Sequence, residues 1–299
     1  MSQADPEQQR RPLIEPVNGS SAFSLSPFKA KNSLVGHPLF EPGRLTRLLR
    51  TLPREQVEIR AVQSLDNNDG SYVRGALLKD ADPVKVFERL DEKPAWMLLH
   101  HTWIHDPEYA ALVAQYMRDL QERVEGVGQD ISDLGCWIFL SSGRCVVHFH
   151  ADPDQSFLNQ IRGSKTVFVY PTTVVPEPAI EKLVYTLDQG TVTYRPDYEN
   201  AMFPAVHLDP GETVFLPLYA PHRVINDEGS SISINFGFHT RTSRRRRRIH
   251  MVNLELRQLG IQPNPYNRSV VTDSMKEWTH WIVRAKNKFL KRLRPEVVV

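Results

Sequence analysis

Three short runs rich in β-branched and aromatic residues follow one another in residues 145–170, which read CVVHFHADPDQSFLNQIRGSKTVFVY. The runs are Cys145–His150, Phe157–Ile161 and Lys165–Tyr170, and the turn Arg162-Gly163-Ser164 separates the last two. β-Branched and aromatic residues favour strands, whereas Gly and Ser favour turns. The stretch therefore predicts short, closely spaced strands, as in a β-sandwich or barrel.

The same strand-rich pattern extends over residues 134–240. Turn residues separate the runs at even intervals, and eight such runs are typical of a jelly roll. The predicted strands are Cys136–Leu140, Cys145–His150, Phe157–Ile161, Lys165–Tyr170, Val206–Leu208, Thr213–Leu216, His222–Ile225 and Ser231–Phe238. Residues 172–204 interrupt the series. We expect them to form an insertion over one mouth of the barrel, with a helix at Glu177–Tyr185.

The regions on either side of this core also contain helical patterns. Residues 1–30 are polar and without periodicity, which predicts a flexible leader. Residues 31–133 predict an α/β region packed on the barrel. Its predicted elements are the helices Pro42–Leu52, Pro83–Leu90 and Pro107–Val124 and the strands Val57–Val62 and Trp96–Leu99. Residues 241–299 predict a helical region whose last helix begins at the capping box Ser274-x-x-Glu277. The expected class is mainly β with flanking helices (α+β).

The composition is that of a globular protein. Of 299 residues, 40% are hydrophobic and 24% are charged, which excludes wholesale disorder and fibrous repeats. There is no apolar run of about 18 residues, so we expect no transmembrane helix. The two cysteines and the polar N-terminus lead us to expect a cytoplasmic protein. The net charge is +2, but basic residues concentrate after residue 240. The run Arg244–Arg248 favours a solvated, salt-bridged first turn of a helix, and a contact with an acidic partner is the alternative.

Candidate metal ligands lie at the end of the first run quoted above. His148, His150 and Asp152 alternate along the chain, and residues two apart in a strand share a face. His222, which follows a second predicted strand, is the candidate for a further ligand. Two histidines and one carboxylate on one side of Fe(II) leave positions open for 2-oxoglutarate and dioxygen. Lys165 would supply the cation that the distant carboxylate of 2-oxoglutarate needs.

The motifs from His150 to Pro153 and from Gln160 to Lys165, with those at 217–222 and 233–236, carry a family resemblance. The chain resembles the cupin-like JmjC group of Fe(II)/2-oxoglutarate oxygenases, especially its asparaginyl-hydroxylase type and the bacterial relatives. The resemblance implies a double-stranded β-helix. It also implies that three side chains hold iron, namely His150, Asp152 and His222. Lys165 would bind the C5 carboxylate of 2-oxoglutarate, and Asn235 would line its pocket.

The resemblance implies oxidative decarboxylation of 2-oxoglutarate coupled to hydroxylation, or demethylation, at a substrate C–H bond. The substrate would be a protein or peptide, or else a small molecule. Ser156 and Val147 depart from the asparaginyl-hydroxylase pattern, which has Asn and Thr at these places.

Two other functions remain open from the sequence. The first is a cupin that binds metal without 2-oxoglutarate, through the set His148, His150, Asp154 and His222. The second is a non-catalytic sensing or scaffold module. Independently of these, Trp278, Ile282 and Phe289 form one helical stripe, which predicts either a homodimer contact through the C-terminal helices or packing onto the chain's own barrel.

Overall fold

The structure is a computed structural model that describes residues 11–15, 26–62, 75–128 and 130–293, with side chains as far as 289. The strands are β1 (Lys29–Lys31), β2 (Val57–Ala61), β3 (Ala95–Leu99), β4 (Ile131–Ser141), β5 (Val146–His150), β6 (Gln155–Arg162), β7 (Lys165–Val169), β8 (Val206–Leu208), β9 (Glu212–Leu216), β10 (His222–Asn226) and β11 (Ser231–Thr240). The helices are α1 (Pro42–Thr51), α2 (Pro83–Phe87), α3 (Thr102–His105), α4 (Pro107–Arg123), α5 (Glu177–Thr186), α6 (Arg241–Gln258) and α7 (Val270–Leu293).

Two antiparallel sheets form the core. The larger has the strand order β1-β9-β6-β11-β4-β3-β2, and the smaller has the order β5-β10-β7-β8. The inner faces pack on each other, because one apolar cluster contains Leu158 and Val214 of the larger sheet with Val167 and Val224 of the smaller. This is the predicted jelly roll, and the class is mainly β with flanking helices, as expected.

The N-terminal region extends the larger sheet instead of forming a separate layer. Strand β3 pairs with β4 at Met97 and Leu140, and β2 pairs with β3. The other face of this sheet packs against α4, where the Tyr116 ring stacks on Phe236 with centroids 3.9 Å apart. The Tyr116 hydroxyl donates to Asn159 Oδ1 at 2.9 Å, which pairs both polar groups inside the apolar layer.

The prediction of a flexible leader at 1–30 is wrong for part of that segment. Leu13 and Ile14 are buried in the main core, and Ile14 forms a bridge with Asn32. Strand β1 already begins at Lys29. The polar composition concealed these two apolar residues, whose burial offsets the entropy of ordering the short segment. The rest of the predicted leader, residues 1–10 and 16–25, lies outside the described residues.

The insertion between β7 and β8 contains α5, as its sequence predicts. The helix begins with Pro at the second helical position and ends one residue past the predicted boundary, at Thr186. Two short 3-10 helices follow, Gln189–Thr191 and Pro196–Ala201. A cluster of aromatic rings, including Phe149 and Tyr198, packs this insertion against the end of β5.

The C-terminal region consists of two helices packed on each other, α6 and α7. The real capping box is Thr240 with Ser243, at the start of α6. The predicted box at Ser274 is wrong, because α7 begins four residues earlier, at Val270. The hydroxyl of Ser269 accepts a bond from Thr272 N, so a hydroxyl residue does cap the helix, but one turn upstream.

Four residues of the run Arg244–Arg248 have partners within the chain. Arg244 pairs with Asp130, and both Arg245 and Arg248 pair with Glu277. The guanidinium of Arg246 lies 5.0 Å from the ring centroid of Tyr219. These four arginines therefore have contacts within the chain, and the acidic partner stays a prediction.

No helix in the described part of the chain is both long and apolar enough to cross a membrane.

Candidate metal centre and adjoining cavity

The two candidate histidine ligands face each other across a pair of neighbouring strands. His150 ends β5, His222 begins β10, and the two are direct partners in the antiparallel register. Their ring centroids are therefore only 4.3 Å apart. Each Nδ1 bonds to the backbone carbonyl two residues earlier, at 2.7 Å for His150 and 3.1 Å for His222. A carbonyl only accepts, so each Nδ1 carries the proton and Nε2 is left as the ligand atom.

Asp152 completes the group from the turn after β5. Its Oδ1 is 4.0 Å from Nε2 of His150, and its Oδ2 is 3.7 Å from Nε2 of His222. One ligand atom from each of the three residues lies within 4.8 Å of the others. Both histidines are buried, and the carboxylate is half-buried. Two imidazoles and one carboxylate converging from one side suit a divalent transition metal such as Fe(II).

The insertion reaches this centre through Gln189. Its Nε2 donates to Asp152 Oδ1 at 2.6 Å, which holds the carboxylate in place. The neighbouring Leu187 and Asp188 are exposed and line the same cavity, so the insertion forms part of its mouth. Sequence reasoning did not find Gln189, because 37 residues separate it from Asp152 and no local pattern marks the contact.

A cavity of about 310 Å³ opens beside the three ligands, between the two sheets. Its polar residues come from both sheets. The lining includes Trp96, Leu98, His100, Trp137, Phe139, Ser141, Val147, His148, Leu158, Lys165, Leu216, Val224, Asn226, Ser233 and Asn235. A space of this size, mostly apolar with a few converging polar groups, has the features of a small-molecule site.

Lys165 lies at the far side of this cavity and is 4% exposed. Its Nζ donates to Ser233 Oγ at 3.0 Å, across from β7 to β11. Among the described residues no carboxylate forms an ion pair with it. Burial lowers the pKa of the ammonium to about 8. A buried cation without an anionic partner is costly, which suits a site that receives a carboxylate.

Two asparagines share the cavity with Lys165. Asn235 points away from the apolar face formed by Ile234 and Phe236, as strand alternation predicts. Its Oδ1 is buried and has no hydrogen-bond partner in the described part of the chain. Asn226 was not assigned to the site from the sequence, and its Nδ2 donates to Ser141 Oγ at 2.8 Å. Alternation along β10 could have found it, because it lies four residues after His222.

His148 lies beside the three ligands without joining them. Its ring centroid is 5.1 Å from that of His150, and it lines the cavity. At this end of the barrel, the described residues that lie close enough together to hold one metal include Asp152 and leave out His148 and Asp154. Of the two departures noted in the sequence, Val147 lines the cavity, and Ser156 has a buried hydroxyl without a partner among the described residues.

A second group of possible ligands, Glu177, Glu181 and His250, lies between α5 and α6. Protein cations already contact two of its three members. Arg257 bonds to Glu181 at 2.7 Å, and Arg246 donates to His250 Nε2 at 3.2 Å. Burial, with the nearby Arg246, lowers the pKa of His250 to about 3. This group is therefore a structural network of the helical region.

Comparison with known proteins agrees with this architecture. No curated protein sequence matches the chain. The chain shares its fold with YcfD, a ribosomal oxygenase from Escherichia coli, in a structure with cobalt and 2-oxoglutarate: identity is 18%, the TM-score is 0.50, and 92% of this chain and 68% of that one are covered. A second E. coli YcfD structure is 19% identical with a TM-score of 0.51, and the match covers 95% of this chain and 70% of that one. A family model for the cupin-like domain matches residues 54–244. The chain therefore belongs to the cupin-like domain family.

Proposed function

We propose that this protein is an Fe(II)- and 2-oxoglutarate-dependent oxygenase that hydroxylates or demethylates a protein or peptide by oxidising one of its C–H bonds. The observation that carries the proposal is the pairing of a two-histidine, one-carboxylate group with a buried, unneutralised lysine in one cavity. His150, Asp152 and His222 supply the first, and Lys165 supplies the second. Either feature alone would suit many kinds of site, but the two together match a metal and a dicarboxylate.

The chain's residues fit both groups chemically. The two Nε2 atoms and the Asp152 carboxylate would hold the metal from one side and leave the cavity side open. Bound ferrous iron would supply the reaction of dioxygen with 2-oxoglutarate that yields succinate and CO₂ and oxidises the substrate C–H bond. The protein would orient the reactants and exclude water, and no side-chain nucleophile is required.

The cosubstrate would lie between the metal ligands and Lys165. The ammonium and the Ser233 hydroxyl would bind its C5 carboxylate. Asn235 has unused hydrogen-bonding capacity beside them, which a bound oxyacid or its ordered water can satisfy. The apolar side chains of Leu158 and Leu216 would pack against its methylene groups.

The substrate would enter past the insertion and the aromatic side chains Trp96 and Trp137. We place a protein or peptide first, because the E. coli protein with the same fold is a ribosomal oxygenase. A small metabolite comes second. Hydroxylation and demethylation both begin at a C–H bond, so the cavity favours neither.

The proposal is tested by following 2-oxoglutarate consumption and succinate release by the full chain, with and without ferrous iron. Conversion that requires iron, and that is lost in His150→Ala, is the expected result. A host-extract screen should then yield a product heavier by one oxygen atom. A chain that binds iron but converts no 2-oxoglutarate, even with extract present, would favour a metal-binding cupin. A chain that binds neither iron nor 2-oxoglutarate would favour a scaffold module.

A further inference from the structure

The turn that leads into the metal ligand His222 contains a residue in an unusual backbone conformation. Tyr219 has φ +60°, in the left-handed region that residues with a Cβ rarely adopt. The turn is closed by a hydrogen bond from Ala220 N to Pro217 O at 3.0 Å. Such a conformation persists only where surrounding contacts hold it, and it concentrates near functional sites. The contacts of Tyr219 therefore set the shape of this turn.

The same turn determines how His222 is oriented. Its Nδ1 donates to the carbonyl oxygen of Ala220 at 3.1 Å, and Ala220 directly follows Tyr219 in the chain. The direction of the Ala220 carbonyl depends on the backbone at Tyr219, so the direction of the imidazole depends on it too. Hydrogen-bond partners of this kind fix the tautomer and the ring orientation of a metal ligand.

The ring of Tyr219 is held by three side chains of the C-terminal region. The guanidinium of Arg246 lies 5.0 Å from the Tyr219 ring centroid and 5.1 Å from that of Tyr266, within cation–π distance of both. The rings of His250 and Tyr219 form an edge contact, with centroids 5.7 Å apart. Arg246 also donates from Nε to His250 Nε2 at 3.2 Å. We call Arg246, His250 and Tyr266 the Tyr219 clamp.

Arg246 is the central member of the Tyr219 clamp. His250 is neutral, because burial lowers its pKa to about 3, so Arg246 supplies the positive charge. The Tyr219 side chain is fully buried, and its hydroxyl has no hydrogen-bond partner among the residues that the structure describes. Contacts with the ring therefore hold this side chain, and the attraction between a cation and an aromatic face is strongest where water is excluded.

We propose that Arg246 is a positioning residue for the metal ligand His222. It acts through the Tyr219 ring and the carbonyl of Ala220. With the guanidinium in place, the ring stays against α6 and the turn keeps its left-handed residue. Without it, the turn relaxes, the carbonyl leaves Nδ1 of His222, and the imidazole turns away from the other two ligands. The inference rests on the metal centre of the proposed function and links that centre to the C-terminal helices.

The first test is the affinity of the full chain for manganese, measured by electron paramagnetic resonance titration. Arg246→Met keeps an apolar stem but removes the cation, and it should raise the dissociation constant about 10- to 100-fold. Arg246→Lys restores a cation and should recover most of this loss. The matched control is Arg245→Met, which should leave the dissociation constant unchanged. Arg245 precedes Arg246 in α6 and is also half-buried, but it pairs with Glu277 of α7.

The second test asks whether the effect passes through Tyr219. Glycine adopts the left-handed region without strain, so Tyr219→Gly keeps the turn and removes the ring. This variant should weaken manganese binding as Arg246→Met does, and it tests the proposal by itself where circular dichroism shows that Arg246→Met does not fold. Adding Arg246→Met to Tyr219→Gly should cause no further loss, because two changes on one route are not additive. A double variant that loses the product of the two single effects overturns the route through Tyr219.

The third test separates positioning from a general loosening of the fold. The visible absorption bands of bound cobalt(II) depend on the arrangement of its ligands. Cobalt-saturated Arg246→Met should therefore give shifted bands, whereas Arg246→Lys and Arg245→Met should give those of the wild type. A variant that is less stable in urea but has the wild-type spectrum and manganese affinity overturns the proposal. A wild-type chain that binds no manganese removes the metal centre itself, and the proposed function then fails as well.

Discussion

The sharpest prediction concerns the buried lysine. Lys165→Met keeps the length and apolar stem of the side chain but removes the ammonium that bonds to Ser233. If that ammonium binds the C5 carboxylate, the variant leaves a carboxylate unpaired in the cavity. Removing one member of a buried charge pair costs about 2–5 kcal/mol. At 1.4 kcal/mol per factor of ten, the dissociation constant of 2-oxoglutarate should rise between about 30-fold and about 4,000-fold.

The same substitution should have the opposite effect on the stability of the free protein. Burial lowers the pKa of Lys165 from 10.5 to about 8 in the folded chain. Between these values the unfolded chain holds a proton that the folded chain has released, so the stability contributed by this group rises with pH across that window. Below pH 8 the folded chain bears the full free-energy cost of burying the protonated ammonium, which is about 3 kcal/mol by the linkage relation. Lys165→Met should therefore be more stable than wild type near pH 7, and the difference should disappear above about pH 10.5.

Two measurements on one pair of proteins test both effects. Calorimetric titration of 2-oxoglutarate into the manganese-loaded chain, without oxygen, gives the affinity, and urea unfolding of the metal-free chain gives the stability at several pH values. Lys182→Met, which removes an exposed lysine from α5, is the matched control and should change neither. A Lys165→Met protein that binds 2-oxoglutarate as tightly as wild type would refute the reasoning. A variant that loses both affinity and stability would assign the lysine a structural role instead.

Three other outcomes are expected. Gln189→Ala should weaken manganese binding by about 10- to 100-fold, measured by electron paramagnetic resonance titration, because it removes the 2.6 Å bond that orients the carboxylate ligand; unchanged affinity would argue against that role. His148→Ala should retain the metal that His150→Ala loses, measured by metal content after dialysis, and equal loss in both would favour the alternative cupin ligand set. Gly163→Ala should lower the free energy of unfolding by about 1–3 kcal/mol in urea titrations, because φ is +69° and a Cβ would lie 2.7 Å from Ser230 O; a smaller loss would show that the turn adjusts.

Local sequence patterns predicted much of the fold because the strands here are short and regular. Residues that alternate along β11 lie on opposite faces, so that Ile234 and Phe236 are buried in the core whereas Asn235 lines the cavity. The helix boundaries were predicted within a few residues wherever proline marked the start. The predicted start of α7 was wrong because Ser274 fits the capping-box pattern as well as any true N-cap residue does. A pattern of four residues cannot tell which of two nearby hydroxyl residues begins a helix.

The sequence by itself determined which side chains lie on a common strand face, since an alternation of two residues is a local property of the chain. It also brought His150 and Asp152 close together in the chain and placed Lys165 at the start of its own strand, although Asp152 lies in the turn after β5 and not on the strand itself. Only the tertiary structure decided that His222 pairs directly with His150, that Gln189 reaches Asp152 from the insertion, and that one face of α7 is left exposed. These depend on strand register, loop closure and helix packing, which join residues far apart in the chain and are selected by the free energy of the whole fold.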